Sequence, residues 1–442
     1  MQSQREYVLR TVEERGVEFI QLWFTDVLGI PKTFSITPAE IENALDEGMT
    51  FDGSAIDGFS RVQESDVIAI PDPKTFQILP FSDAPVARVV CDISNLDGSP
   101  FEGCPRRVLR RQLERAHAAG FSFFAAPELE YFYFADADPS RPPRPVDYGT
   151  YFELTVADLA TDLRRKTVLT LEDMGIPVEY AQHEDAPSQH EIDLRYTDAL
   201  TMADTIMTVR LVVKEIAQER GVHASFMPKP LPNVQGSGMH THFSLFSGGT
   251  NAFYDPNEER ALSVVAKQFI AGLLEHAREI TAVTNQWVNS YKRLVAGYEA
   301  PVTISWAYNN RSALVRLPIV KPGKGESTRV EYRAADPACN PYLAFSVILA
   351  AGLRGIEKGY ELQPEAEQNL FTLSSEALLA AGIRPLPRTL DEAVSAMERS
   401  ELVADALGEH VFEWFIRNKR TEWEEYCREV TPYELAHYLP TL

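Results

Sequence analysis

The run FFAAPELEYFYF (123–134) is rich in aromatic and β-prone residues and predicts a strand inside a sheet, yet it carries two carboxylates, Glu128 and Glu130. Side chains alternate across a strand, so residues two apart face the same way. Two glutamates on one face beside aromatic neighbours repel each other unless something positive lies between them. Taken alone, such a pair reads as a solvated strand face. Three further stretches repeat the pattern. HEDAPSQHEID sets Glu184 and Glu191 on either side of a turn at Pro187. GSGMHTHFSL puts His240 and His242 on one strand face, and RVEYR does the same for Arg329, Glu331 and Arg333. An isolated His-x-His is usually core or surface, but several polar faces in one domain are harder to dismiss. Together they offer the carboxylates of Glu128, Glu130, Glu184, Glu191 and Glu331 with one or two imidazoles. That hard, oxygen-rich donor set suits two or more magnesium or manganese ions, whereas zinc would want thiolates or more histidines.

Two divalent ions carry fewer charges than those carboxylates together, so metals alone cannot also neutralise a polyphosphate. Arginines are needed, and Arg293, Arg311, Arg316, Arg329 and Arg333 stand in polar, loop-flanked settings. Guanidinium groups suit phosphate and carboxylate bidentately.

The chain has 442 residues, too many for one ordinary core, and 45% of them are apolar, which is a globular composition. Its 64 acidic and 42 basic residues leave a net charge of -22, which repels nucleic-acid backbones and anionic lipid. Cys91, Cys104, Cys339 and Cys427 form no CxxC pair, a pattern of reduced thiols in a cytoplasm. The N-terminal run MQSQREYVLRTVEERG has no apolar stretch of a signal peptide, so the expectation is a cytoplasmic protein.

A helix over 4–15, a hairpin from VEFIQLWFTD and PKTFSI, and a strand at 86–93 predict a small first domain over 1–100. Asp97-Gly98-Ser99-Pro100 marks a break, and Pro105 opens a helix that Gly120 closes. The second domain, 105–442, reads as helices near 157–174, 199–220, 261–280, 341–358, 389–406 and 409–428. Between them lie strands at 121–134, 176–181, 189–195, 240–246, 302–308, 312–317 and 329–333, a mixed domain on a largely antiparallel sheet. Neither GxGxxG nor GxxxxGK[ST] occurs, so any ATP is held by a different fold.

At these residues the chain resembles the bacterial type I glutamine synthetase family, in its shorter form. The resemblance runs from about Phe19 onward and is carried by FDGSAIDGF (51–59), PELEYF (127–132), FMPKP (226–230), GSGMHTHFSL (236–245), NSYKRLVAGYEAP (289–301), NRSALVRLP (310–318) and VEYRAADPACNPY (330–342). It implies an α+β fold: a small β-grasp N-terminal domain and a large catalytic domain of the glutamine synthetase/guanidino-kinase type on a curved antiparallel sheet. It implies a cytoplasmic glutamate–ammonia ligase of nitrogen metabolism that makes glutamine from glutamate, ammonia and ATP through γ-glutamyl phosphate, as a dodecamer of two hexameric rings with active sites shared between subunits.

The resemblance also implies roles by position. Glu130, Glu184 and Glu191 correspond to the ligands of one metal, and Glu128, His240 and Glu331 to those of another. Arg293, Gly236, His240 and Arg333 correspond to glutamate-binding positions; Arg311, Arg316 and Arg329, with His242 and Ser244, correspond to positions around ATP phosphates. Glu179, Tyr196 and Phe59 match nucleotide-neighbouring positions, Asp52 reaches the site from an adjacent subunit, Tyr151 and Glu184 complete an ammonium pocket, and Glu299 lies in a closing loop.

Departures accompany the matches. Ala55 replaces a common serine, Gln235 a common asparagine, Ser188 a common glycine, and Glu326 a common lysine that Lys324 is near enough to replace. Phe371 stands where some relatives carry an adenylylated tyrosine, so that regulation is expected to be absent. Gln286 and Trp287 replace a commoner Pro-Thr type and resemble paralogues that attach polyamines or other amines to glutamate. The second reading is therefore a γ-glutamyl ligase using such an amine. A non-catalytic relative would have lost metal ligands, and none is lost here.

Overall fold

The computed structural model describes residues 2–59, 65–81, 84–154, 159–321, 323–366, 370 and 373–442, so Phe371 lies outside the described residues. The N-terminal part comprises α1 (Gln2–Glu14), β1 (Phe19–Thr25), β2 (Pro31–Ile36), α2 (Ile41–Glu47), β3 (Met49–Asp52), β4 (Asp66–Pro71), β5 (Gln77–Leu79) and β6 (Val86–Ser94). Their sheet runs β2-β1-β6-β4-β3, with β5 on β6. Strands β1 and β6 pair in parallel, the others antiparallel.

Strand β1 illustrates why both of its faces are apolar. Ile20, Leu22 and Phe24 point into a core of the N-terminal part, whereas Trp23 joins the core of the C-terminal part. Strand β6 divides likewise, with Ala87, Val89, Cys91 and Ile93 on one side and Val86 on the other. A strand buried on both faces reads as a continuous apolar run, which VARVVCDI is.

The C-terminal part begins with α3 (Pro105–Ala118) and the long β7 (Ser122–Phe134). Then follow α4 (Leu159–Asp173), β8 (Val178–His183), β9 (Gln189–Leu194), β10 (Thr197–Asp198), α5 (Ala199–Glu219), β11 (His223–Ser225), β12 (Met239–Ser247) and β13 (Thr250–Asn251). Helices α6 (Val264–Glu275), α7 (Ala277–Thr284) and α8 (Ser290–Arg293) precede β14 (Trp306–Ala307), β15 (Val315–Arg316) and β16 (Val330–Tyr332). The chain closes with α9 (Pro341–Lys358), α10 (Ser375–Ala380), α11 (Leu390–Met397), α12 (Glu401–Leu407), α13 (Glu409–Arg428) and α14 (Pro432–Tyr438). The large sheet runs β14-β15-β16-β12-β7-β9-β8 and is antiparallel except between β14 and β15. Among the described residues no helix is long and apolar enough to cross a membrane.

Several sequence expectations change, and the strand expected at 312–317 keeps only Val315–Arg316. The helix expected at 261–280 splits at His276 into α6 and α7. The one at 389–406 splits because the Ser400 hydroxyl accepts from Val403 N and starts a new helix. The strand expected at 302–308 shrinks to two residues: Ile304 N donates to Arg384 O and Leu386 N to Val302 O, so that backbone pairs outside the sheet.

Ala125, Leu129, Tyr131 and Tyr133 of β7 pack with Ile192, Leu194, Met239, Phe243 and Leu245 in one core beneath α3, α5 and α9. That burial on one sheet face leaves the alternate residues of the same strands on the other.

Buried polar contacts join the two parts. Arg106, 3% exposed, donates to Asp72 and Asp92 on one side and to Asp204 on the other, each at 2.9–3.0 Å. Arg110 also reaches Asp72, and Tyr342 donates to Asp204. At the tip of the β1–β2 hairpin, Gln286 Nε2 donates to Leu28 O (2.7 Å), and Gln286 Oε1 accepts from Asn340 N (3.0 Å). Asn340, completely buried, donates to Asp26 O and Val27 O while its Oδ1 accepts from Tyr342 N and Leu343 N as the cap of α9. Gly29 lies so close that a Cβ would stand 3.0 Å from Asn340 Cα, at φ +82°. Trp287 Nε1 donates to Ala338 O, and Lys419 Nζ lies 4.0 Å over its ring. Gln286 and Trp287 thus serve packing between the two parts and α13.

Replacing Asn340 by alanine removes a helix cap and strands two buried carbonyls, a loss of about 2–4 kcal/mol. Asn340→Asp keeps the cap but not the donors and is expected to be destabilised as well. Chemical denaturation of the two variants beside the parent checks this; an Asn340→Asp protein as stable as the parent would show that only the cap matters.

Candidate active site

Register across the large sheet brings the polar positions onto one face. Glu128 lies opposite His240 on β12 and Asp193 on β9, and Glu130 lies opposite Glu191. His242 is paired with Glu331, Glu331 with Arg316, and Glu191 with Gln182. Antiparallel pairing keeps directly opposed residues on the same side, so six strands supply a single patch.

The contacts form two groups. Glu128, His240 and Glu331 each present a ligand-capable atom within 4.8 Å of the others. His240 Nδ1 lies 3.2 Å from Glu128 Oε2, and His242 Nε2 lies 2.7 Å from Glu128 Oε1. Glu331, with no exposed surface, accepts from Arg316 Nε and Arg333 Nη1. Glu130, Glu184 and Glu191 make the second group. Gln182 Nε2 donates to Glu184 (2.7 Å) and Glu191 (2.8 Å), and Gln189 Nε2 to Glu130 (2.8 Å).

Charge is poorly balanced there. Burial, reinforced by Glu184, pushes Glu130 up to about 8. Burial raises Glu184 to about 7 and, with Glu128, raises Asp193 to about 7. Burial together with Asp193 and Glu130 raises Glu191 well above its ordinary value. Glu128 differs: burial alone would raise it, but hydrogen bonds from His240 and His242 hold it well below. These carboxyls compete for too little positive charge, and divalent cations bound by oxygen donors would relieve that. The donor set fits magnesium or manganese. Cys91, Cys104 and Cys339 are buried in the two cores and supply no thiolate here.

The rim places the remaining sequence-predicted residues. Arg293 is 3% exposed and donates to the carbonyls of Arg333, Ala334 and Ala335. Gly236 and Gly238 allow backbone to pass close: a Cβ on Gly236 would lie 2.2 Å from Pro228 O, and one on Gly238 2.6 Å from Arg293 Nη2. Gly238 N donates to Glu130. Arg329 Nε donates to His242 Nδ1 (3.2 Å), and Ser244 Oγ donates to Thr328 O. Glu179 is the extra residue of a β-bulge in β8, a device that redirects a side chain. Tyr196 is exposed and packs edge-on against Phe124. Arg311 lies 3.9 Å from Glu299 and against the Tyr151 hydroxyl. Glu299 has φ +58°, a left-handed backbone that strains a glutamate.

Two placements stand apart. Asp52 is exposed on β3, outside this patch, where it accepts from Ser54 N. Phe59 has no exposed surface and packs against Phe24 and Phe101 in the N-terminal core, so the nucleotide-neighbouring position expected for it is corrected to a packing one.

Several residues on the face went unnoticed in sequence. Asp193 stands two positions from Glu191, the same spacing that flags Glu128 and Glu130, so the signal was available. Gln182 and Gln189 carry none, because an amide pairing with a carboxylate has no distinctive spacing. Behind the sheet, Asp147, His183 and His190 also converge. Arg164 Nη1 lies 2.6 Å from His190 Nδ1, so that nitrogen accepts and Nε2 carries the proton facing Asp147. That trio is a hydrogen-bonded cluster with a guanidinium beside it, a poor place for a cation.

Comparison with known proteins gives a consistent result. Residues 16–96 match "Glutamine synthetase, beta-Grasp domain" and residues 102–438 match "Glutamine synthetase, catalytic domain". The glutamine synthetase of Mycolicibacterium smegmatis is 57% identical over 99% of this chain and 100% of its own length. That of Methanosarcina mazei is 49% identical over 99% and 98%. A solved GmaS/ADP complex superposes with a TM-score of 0.88 at 32% identity, covering 98% of this chain and 99% of that one.

A pH dependence follows from the raised carboxyls. In the unfolded chain they ionise near pH 4, whereas Glu130, Glu184 and Asp193 keep protons up to about 7–8 when folded without metal. The native state then binds more protons than the unfolded one between about pH 4 and 8, so metal-free stability falls as pH rises through that window. Magnesium displaces those protons, and its stabilisation grows with pH. Melting with EDTA or magnesium at roughly pH 5.5 and 8.5 should show the larger magnesium-dependent gain at the higher value. An equal or larger gain at the lower pH contradicts the assignment.

Proposed function

The chain belongs to the glutamine synthetase family, and on that footing we propose how its own residues carry out the ATP-dependent joining of ammonia to the γ-carboxylate of glutamate, giving glutamine, ADP and phosphate. The observation that carries the proposal is the single sheet face on which Glu128, His240 and Glu331 converge beside Arg316 and Arg333. Glutamine synthetases generally use divalent metals and ATP. Here Glu130, Glu184 and Glu191 would hold one magnesium or manganese ion and Glu128, His240 and Glu331 another; when bound, the ions supply Lewis-acid neutralisation of phosphate oxygens.

Arg293, Gly236 and Arg333 orient glutamate so that a γ-carboxylate oxygen faces the γ-phosphorus of ATP. The bond from that phosphorus to the β,γ-bridging oxygen breaks as the new one forms, and ADP leaves. Arg311, Arg316 and Arg329 offset the charge on the equatorial oxygens, with His242 and Ser244 beside them; Glu179 and Tyr196 flank the nucleotide. The acyl phosphate is the better electrophile. Ammonium must lose a proton before it attacks, and Asp52 of a neighbouring copy takes that proton within a pocket completed by Tyr151 and Glu184. Hydrogen bonds from Ser54 hold Asp52 below the usual carboxylate range, so it stays ionised and attracts the cation. Glu299, in its closing loop, keeps water from the acyl phosphate.

Ammonia is favoured over a longer amine. Gln286 and Trp287, the residues that raised the alternative, pack at the junction of the two parts. Glutamine synthetases are oligomeric, and a dodecamer of two hexameric rings is the assembly that lets Asp52 reach a neighbour's site. A cytoplasmic location belongs to the same reading, supported by the free cysteines.

Purified protein is expected to form ADP only when glutamate, ammonium and magnesium or manganese are all present. Putrescine, spermidine and ethanolamine at equal concentration should support little turnover; a polyamine that works where ammonium fails sinks the reading. Glu331→Ala should cost more than about a hundredfold in rate. Mixed Asp52→Ala and Arg333→Ala subunits should regain activity that neither has alone, because some shared sites then have both residues.

A further inference from the structure

Ser188 occupies the turn between β8 and β9 with φ +60° and no exposed surface. That left-handed conformation suits glycine and strains a serine. The strain is offset locally. Ser188 Oγ accepts from Val146 N (2.6 Å) and Asp147 N (2.8 Å), and Ser188 N donates to Asp147 Oδ1 (3.2 Å). Tyr133 N donates to Ser188 O (3.0 Å), tying the turn to the central strand.

The same loop is fastened at neighbouring points. Asp147 Oδ1 accepts from Gly149 N (3.1 Å) and lies 2.5 Å from His183 Nε2; Asp147 Oδ2 lies 3.1 Å from His190 Nε2. A Cβ on Gly149 would fall 2.8 Å from His183 Nε2, so the loop lies directly against that ring. Phe152 N donates to His183 O (3.1 Å). Residues 146–152 are therefore bound to the hairpin that carries Glu184 and Glu191, and Tyr151 stands within that segment beside Arg311. A glycine at 188 would relax the backbone yet leave Val146 N and Asp147 N without the hydroxyl they share.

We propose that Ser188 is a positioning residue for the amine pocket: its hydroxyl fixes the 146–151 loop and, through it, the Tyr151 side chain relative to Glu184. This rests on the reading that Tyr151 and Glu184 line that pocket. It separates two effects normally confounded. Ser188→Gly removes both the strain and the acceptor, so the relaxed backbone offsets part of the lost hydrogen bonding while the loop is loosened. Ser188→Ala keeps the strain and loses the acceptor.

The test uses the full-length enzyme with saturating glutamate, ATP and magnesium. Ser188→Gly is expected to raise the KM for ammonium about five- to tenfold, as loss of a loop hydrogen bond implies. Its kcat should change less than about twofold and its Tm should fall less than that of Ser188→Ala, which keeps the strain. Ser188→Ala should raise KM similarly and lower Tm. Tyr151→Phe should raise KM, and combining it with Ser188→Gly should add nothing further, because both act through the same side chain. A native KM for Ser188→Gly while Tyr151→Phe raises it overturns the proposal alone, as do effects that multiply in the double variant. A silent Tyr151→Phe overturns the pocket reading and the proposal with it.

Discussion

Carboxylates do not gather on one buried face without something to hold them apart. Glu128, Glu130, Glu191, Asp193 and Glu331 nevertheless share one side of a single sheet, with Glu184 at its margin. Their mutual repulsion is the constraint around which the rest is arranged. Arg316 and Arg333 neutralise Glu331, His240 and His242 hydrogen-bond Glu128, and Gln182 and Gln189 satisfy oxygens that carry no compensating charge. What stays unbalanced is concentrated at Glu130, Glu184, Glu191 and Asp193, so the protein gathers its deficit at one end of the face instead of spreading it evenly.

Such a face must be rigid, because a misplaced carboxylate would relieve repulsion by swinging away. The opposite side of the same strands supplies the rigidity. Tyr131 and Tyr133 of β7 pack with Ile192 of β9 and Met239 of β12 under α3, α5 and α9. Strand alternation thus couples the two halves of the design: the acidic positions on β7, β9 and β16 alternate with buried residues on the same strands.

Much of this was legible in the sequence because it depends on period two. Glu128/Glu130, His240/His242 and Arg329/Glu331/Arg333 announce shared faces by spacing alone, and the β8–β9 pair announces itself through the turn at Pro187. Asp193 obeys the same rule, two residues from Glu191 on the same face. Other features were illegible for physical reasons. Which strands neighbour one another depends on contacts far apart in sequence, so the grouping of Glu331 with Glu128 and His240 could be named only by resemblance. Helix breaks at His276 and Ser400 lie within apolar periodicity that continues across them, and only the second carries a side-chain cap. Phe59 misled because a motif match gives proximity in sequence, whereas its ring packs with Phe24 and Phe101 in a separate core.

The junction between the two parts carries a consequence for descent. Its contacts come from Asp72, Asp92 and the Asp26–Gly29 turn on one side, and from Arg106, Asp204, Gln286 and Asn340 on the other. Nearly all are buried, hydrogen-bonded and mutually dependent, so exchanging either part for a foreign counterpart would strand charges and carbonyls on the half that remained. Recombination at the chain's obvious break near residue 100 would therefore be punished even though the backbone there is easily cut. Two modules that look separable in sequence are, in heredity, one unit, with Gln286 tied at once to the Leu28 carbonyl and the Asn340 amide.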